Sequence, residues 1–308
     1  MSRPDIDRRR FMGLAAAGAA LGLGGLPAFA AGPGILTKPI PGTGERIPAI
    51  GMGTWITFNV GEDQRLRDAR TEVLARFFEM GGGMIDSSPM YGSSEAVLGY
   101  ALKKLGFPDT LFSTTKVWTP SAEHGKGQIA DSFRLWGIKT FDLFQVHNLL
   151  NWEDHLQTLR AEKAAGRLRY IGITTSHGMR HGGMEEIMKS QDIDFVQLTY
   201  NAVDREAEDR LLPLAAERGI AVICNRPYRR GSLIARAQRH PLPPWAAEAG
   251  AGNWPEFLLK FIISHPAVTC AIPATSSVQH MSENMNAMRG PMPDQKMRRR
   301  MADHVRDL

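Results

Sequence analysis

From residue 45 onward, short apolar, β-rich runs alternate with stretches whose apolar residues recur every three or four positions. The pair repeats eight times in about 240 residues, which predicts an α/β fold of the (β/α)8, TIM-barrel type. The structural alternative is a doubly wound sheet, which usually carries a glycine-rich phosphate fingerprint after its first strand. Here the first run ends Gly51-Met52-Gly53-Thr54-Trp55 and lacks the G-x-G-x-x-G spacing. Asp86, Lys116 and His147 stand where three successive runs end, and Tyr91 lies just beyond the first of these. Barrels carry their chemistry at such strand ends.

The elements follow in order. Residues 35–48 contain Pro41-Gly42-Thr43-Gly44, a turn signal, and predict a hairpin closing the bottom of the barrel. Strand one spans 47–55, and Leu66, Ala69, Val73, Leu74, Phe77 and Phe78 then recur at helical spacing. Strand two covers 84–88, and its helix runs through Leu98, Ala101, Leu102 and Leu105 with Ser93 or Ser94 as cap. Strand three covers 111–117, followed by a helix through Phe133 and Trp136; strand four covers 141–148, followed by one through Leu156 and Leu159. Strand five is 168–175, with a helix near 184–188, and strand six is 195–201, with a helix through Leu211, Leu212 and Ala215. Strand seven is 220–227 and its helix includes 257–263; strand eight is 268–275 and its helix 281–288. A last helix over about 293–306 ends the chain. The long connection 228–253 would leave the chemical face of the barrel, so it is expected to be a lid or binding loop.

Composition narrows the function classes. The chain has 308 residues, 43% hydrophobic, with a net charge of +5. Two of those five charges come from the first ten residues, where Arg3, Arg8, Arg9 and Arg10 face Asp5 and Asp7, so nucleic-acid binding is not expected. The run KMRRR at 296–300 reads as a solvated helix face. Asp7-Arg8-Arg9-Arg10-Phe11-Met12 resembles a twin-arginine export motif, followed by an apolar run over 12–26 and by Ala28-Phe29-Ala30, a small-x-small cleavage site. Residues 1–30 are therefore read as a Tat signal peptide and 31–308 as the barrel, with the translocation machinery as a partner and a periplasmic or exported destination. The apolar run is short for a membrane span, and none is expected after it. Cys224 and Cys270 form no disulfide framework or metal site; two buried free thiols are expected, although export would permit a disulfide. His177 and His181 lack a third ligand, so a loop role is assigned and no metal is expected.

An acid, a phenol, a lysine and an imidazole aimed at one barrel mouth form a proton-delivery site. A free phenol, with a pKa of about 10, gives up its proton poorly near neutral pH. An adjacent ammonium would favour the phenolate, Asp86 would hold that ammonium, and His147 would orient a carbonyl oxygen.

The segments GMGTW, IDSSPMYGSSEAVLG, TTKVW, FDLFQVHN, YIGITT, VQLTYN and IPATSSVQHMSEN together resemble the aldo-keto reductase superfamily, in family order across about residues 35–308. The resemblance implies hydride transfer between a nicotinamide and a carbonyl or alcohol. It assigns Tyr91 as general acid, Lys116 and Asp86 as its tuning partners, and His147 as substrate orienter. It also implies cofactor contacts from Gly53, Thr54, Trp55, Asp86, Thr174, Thr175 and Gln197, and at the adenosine end from Thr275, Ser277, His280, Glu283 and Asn284. Trp55, Trp118 and Asn148 are implied in the substrate pocket. Several positions depart from the family pattern. Thr174 and Thr175 replace Ser-Asn, Asn225 stands in place of a ring-stacking aromatic, and Ala274 and His280 replace a frequent Lys and Arg. Two missing cations weaken the grip on a 2′-phosphate, which Arg226, Arg229 and Arg230 could offset. NADP(H) is expected, with NAD(H) open. The competing function is an exported cofactor-binding sensor with little turnover, and a barrel isomerase without nicotinamide is a distant third.

Overall fold

Eight parallel strands pair in strict sequence order in the computed structural model, which describes residues 34–308. The export motif and cleavage site read in residues 1–30 lie outside the described residues. A two-stranded antiparallel hairpin, β1 (Thr37–Pro39) and β2 (Arg46–Pro48), precedes the barrel. The barrel strands are β3 (Met52–Gly53), β4 (Met84–Asp86), β5 (Phe112–Val117), β6 (Phe141–Val146), β7 (Leu168–Thr174), β8 (Phe195–Thr199), β9 (Ala221–Asn225) and β10 (Cys270–Ala271). The cycle closes through Gly51 N–H to Ala271 O (2.9 Å) and Gly53 N–H to Pro273 O (3.1 Å). Gly51 permits this closure: a Cβ there would meet Met84 O at 2.8 Å.

The covering helices are α1 (Gln64–Glu79), α2 (Ser94–Leu105), α3 (Ala122–Trp136), α4 (Trp152–Ala164), α5 (His181–Ser190), α6 (Leu211–Arg218), α7 (Ser232–Ala237), α8 (Trp254–Ile263), α9 (Val278–Asn286) and α10 (Gln295–Asp307). Ser93 is the N-cap of α2 by position, yet its hydroxyl accepts from Gly61 N–H and makes no cap bond. The connection after β9 holds α7 and short helical turns rather than open loop.

The strand alternation explains where the site sits. Side chains two apart share a face, so Phe112, Thr114 and Lys116 run along one face of β5, and Phe195, Gln197 and Thr199 along one face of β8. Their first members join Ile40, Ile47, Met84, Leu143 and Tyr170 in an apolar cluster inside the barrel. The hairpin residues Ile40 and Ile47 thus plug the bottom, as the sequence predicts. The later members are polar and meet at the top.

Three expectations are corrected. Strand one, expected over 47–55, is divided: Arg46–Pro48 pairs with the hairpin and only Met52–Gly53 enters the barrel. Between them Ala49 N–H bonds Leu36 O and Ile50 N–H faces Met288 Sδ, so those donors leave the ladder. Strand eight shrinks to Cys270–Ala271, because Val268 N–H turns back to His265 O and Pro273 has no donor. The 296–300 run is not a plain solvated face. Arg298 is only 8% exposed, donates to Phe261 O and the Tyr200 hydroxyl, and stacks on Phe261, while Arg300 lies 4.1 Å from the Trp245 ring centre.

Cys224 and Cys270 are buried free thiols. Cys270 pairs in register with Ile223 rather than with Cys224, so neighbouring positions place the two thiols on opposite faces of the sheet. Cys270 belongs to the inner cluster and Cys224 to the helix-facing layer. Among the described residues, no helix is long and apolar enough to cross a membrane.

Candidate active site

Lys116 is fully buried and donates to Asp86 Oδ2 at 2.6 Å and to Ser87 O at 2.7 Å. Asp86 Oδ1 in turn accepts from Gln197 Nε2 at 2.9 Å. Adjacent strand ends therefore hold the ion pair rigidly. Burial pushes the Lys116 ammonium down from its ordinary pKa, and Asp86 opposes that push. Tyr91 ends the short helical turn Pro89–Tyr91, and Lys116 Nζ lies 5.2 Å from its ring centre. The Tyr91 hydroxyl has no hydrogen-bond partner among the described residues, and Tyr91 lines the cavity.

The direction of the Tyr91 pKa corrects the reading that Lys116 lowers it. Burial and the Asp86 charge raise it well above the ordinary phenol value. Burial is the larger cause, and the Asp86 carboxylate adds to it while holding Lys116 at 2.6 Å. Tyr91 is thereby held protonated, as an acid must be before it acts. His147 lies edge-on to Tyr91, ring centres 6.0 Å apart, with Nδ1 3.0 Å from Ser88 Oγ. Burial and the Lys116 charge hold its pKa down to about 2, so the imidazole is neutral.

Asp86, Tyr91 and His147 line a cavity of about 670 Å³. Gly53, Thr54, Trp55, Asn148, Thr174, Thr175 and Gln197 line the same space, as do Thr275, His280, Glu283 and Asn284. Three expected residues, Lys116, Ser277 and Trp118, do not line it. Ser277 caps α9 by accepting from His280 N–H, and Trp118 is 39% exposed beside His147, ring centres 6.5 Å apart. Thr175 lines the cavity while its hydroxyl points to Met184 Sδ. Asn225 donates to Thr175 O at 2.8 Å and to Gln197 Oε1 at 3.4 Å, so its amide is tied into the cavity wall.

His177 also lines the cavity, with Nε2 2.5 Å from the Arg226 guanidinium, where sequence reasoning assigns it only a loop role. Both residues adopt left-handed backbone, φ 64° and 52°, which turns the two loops toward each other. Histidine is enriched in that conformation, so His177 carried a weak signal, whereas Arg226 carried none. Ile56 and Met90, exposed at the mouth, were likewise missed.

The donor set fits a nicotinamide dinucleotide. Amide and hydroxyl side chains gather near Tyr91. Arg226 and Arg230 also line the cavity, with no carboxylate ion pair to either among the described residues; Arg230 lies 4.2 Å from the Trp55 ring centre, and Arg226 Nε is buried without a partner. Two guanidinium groups without a carboxylate ion pair suit a pyrophosphate.

Residues 49–302 match the Aldo/keto reductase family. The chain belongs to that family. Among curated aldo-keto reductases and their kin, methylglyoxal reductase YeaE of Escherichia coli K12 is 26% identical over 248 residues, covering 77% of this chain and 84% of that protein. An NADH-specific methylglyoxal reductase of the same organism is 25% identical, covering 73% and 77%. An aldo/keto reductase from Klebsiella pneumoniae, solved with NADP and acetate, superposes with a TM-score of 0.73 at 21% identity, covering 87% of this chain and 94% of that one. The holo form of a Bacillus halodurans aldo-keto reductase gives 0.72 at 22% identity, covering 88% and 96%. These two structures match the fold.

Proposed function

We propose that this aldo/keto reductase is an NAD(P)(H)-dependent oxidoreductase that reduces a carbonyl group, with Tyr91 as general acid. One observation carries the reading. A protonated, unpartnered tyrosine hydroxyl opens into a long cavity beside a buried Lys116–Asp86 pair and a neutral imidazole.

The chain's own residues do three things. Trp55, His147 and Asn148 bound the end of the cavity where a carbonyl compound would enter, and His147 orients its oxygen. Tyr91 supplies the proton to that oxygen as negative charge develops there. Lys116 and Asp86 fix the acid by packing and charge. A bound nicotinamide would supply the hydride, and the protein's contribution is orientation and electrostatics. Thr174, Gln197 and Asn225 would hold its amide end, Arg226 and Arg230 its phosphates, and Thr275, His280, Glu283 and Asn284 its adenosine. NADP(H) is favoured, and the absence of fixed cations at Ala274 and His280 leaves NAD(H) usable. The two curated methylglyoxal reductases make small dicarbonyls the first substrates to test.

The experiment is NADPH and NADH oxidation by purified protein across a panel of dicarbonyls and aliphatic and aromatic aldehydes. Turnover by wild type that collapses in Tyr91→Phe supports the reading. Cofactor binding with no turnover of any carbonyl would favour a sensor. We also propose export by the twin-arginine route on the Arg8-Arg9-Arg10-Phe11 motif. Cell fractionation of wild type and of Arg8→Lys/Arg9→Lys/Arg10→Lys tests it, and equal periplasmic yield from both would count against it.

A further inference from the structure

Two hydrogen bonds meet at Ser88 Oγ, on a side chain with no solvent exposure. The Met90 amide donates to it at 3.4 Å, so Ser88 caps the turn that carries Tyr91. On its other side, His147 Nδ1 lies 3.0 Å away. A serine oxygen accepts, but its single proton needs an acceptor of its own. With Met90 N–H already pointing at the oxygen, His147 Nδ1 is the only acceptor within reach of that proton among the described residues. The opposite arrangement would aim two N–H groups at one oxygen and leave a buried hydroxyl proton without a partner.

The rest of the environment fixes the ring. Tyr91 meets it edge-on at 85°, and Trp118 lies across it at 58°. Burial, and after it the Lys116 charge, keeps the ring from taking up a second proton. The imidazole therefore carries one proton. Its Nε2 makes no hydrogen bond among the described residues, and His147 lines the cavity.

We propose that Ser88 is a positioning residue that acts through His147: by donating to Nδ1 it fixes the Nε2–H tautomer and makes the imidazole a hydrogen-bond donor toward a carbonyl oxygen in the cavity. In the other tautomer Nε2 would present a lone pair and repel that oxygen. The catalytic consequence rests on the carbonyl-reduction reading, whereas the tautomer does not.

The test joins ¹⁵N NMR of the histidine side chains with a double-mutant cycle. In wild type, His147 should show protonated Nε2 and bare Nδ1, and Ser88→Ala should lose that preference while Ser88→Thr keeps it. Carbonyl reduction should fall about tenfold in Ser88→Ala, the rate equivalent of one hydrogen bond, and recover in Ser88→Thr. In a His147→Ala background, Ser88→Ala should cost much less than tenfold, because its partner is gone and only the cap on the Tyr91 turn is lost. A protonated Nδ1 in wild type overturns the proposal even if no variant folds. An equal loss from Ser88→Ala in both backgrounds also overturns it, since Ser88 would then serve only the turn under Tyr91. Failure of wild type to reduce any carbonyl would instead remove the proposed function and leave the NMR result to decide the tautomer.

Discussion

Asp86→Asn should destabilise the protein strongly at neutral pH and much less at alkaline pH. The two partners are 0% and 3% exposed at their side chains, and the Lys116–Asp86 contact is 2.6 Å. Asparagine keeps the shape but leaves a buried ammonium without a counter-charge, a loss of about 3–5 kcal/mol. At about 2–4 °C per kcal/mol for a domain of this size, Tm should fall by about 6–20 °C. The pH dependence has a definite sign. The folded-state pKa of Lys116 already lies below its unfolded value. Between the two, the unfolded chain binds more protons, so stability rises with pH. Removing Asp86 lowers the folded pKa further, so Lys116 sheds its proton earlier and the gap between variant and wild type narrows as pH rises. Removing the Asp86 charge also removes one cause of the raised Tyr91 pKa, so any alkaline limb from Tyr91 should move to lower pH. Thermal denaturation followed by circular dichroism at about pH 6 and about pH 9 is the assay. A Tm within about 2 °C of wild type at both would refute the reasoning, because the pair would then not be a buried, compensated one.

Three further outcomes are expected. His147, held down to about 2, should contribute no limb to the pH profile of carbonyl reduction between about pH 4 and pH 8; a limb in that range lost in His147→Gln would contradict its neutral state. Ala274→Lys combined with His280→Arg should raise the affinity ratio of NADPH over NADH by about tenfold, roughly one added charge-assisted contact, measured by fluorescence titration. Gly99→Ala should lower the urea midpoint sharply, because a Cβ there would meet Leu135 O at 1.9 Å and force α2 from α3, with a loss of about 1–3 kcal/mol or more.

The barrel was legible because each strand states its own orientation. In Phe112-Ser113-Thr114-Thr115-Lys116-Val117 the positions on one face pass from aromatic to hydroxyl to ammonium, so a single segment marks both the core and the mouth. The tetrad's place was legible for the same reason. What the sequence withheld depends on pairing across strands. The phenol's pKa moves up because folding buries Tyr91 beside the Asp86 charge, a sign that residue type alone does not state. The split of the first strand follows from donors captured by Leu36 and Met288, far apart in the chain. Arg298 reads as one more surface charge in KMRRR, and only the docking of α10 on Phe261 and Tyr200 buries it. His177 and Arg226 line the cavity from left-handed backbone positions. Ser88 did carry a signal, since Ser-Pro favours turn initiation and places a serine cap before Tyr91.

The central claim is that Tyr91 delivers the proton while other residues hold the cofactor. Single-turnover reduction of an aldehyde by protein preloaded with NADPH tests it most directly, comparing wild type with Tyr91→Phe. The account predicts NADPH affinity unchanged within about threefold and a reduction rate lower by about 10²–10⁴-fold, the contribution of a positioned general acid. Equal single-turnover rates in the two proteins would contradict it.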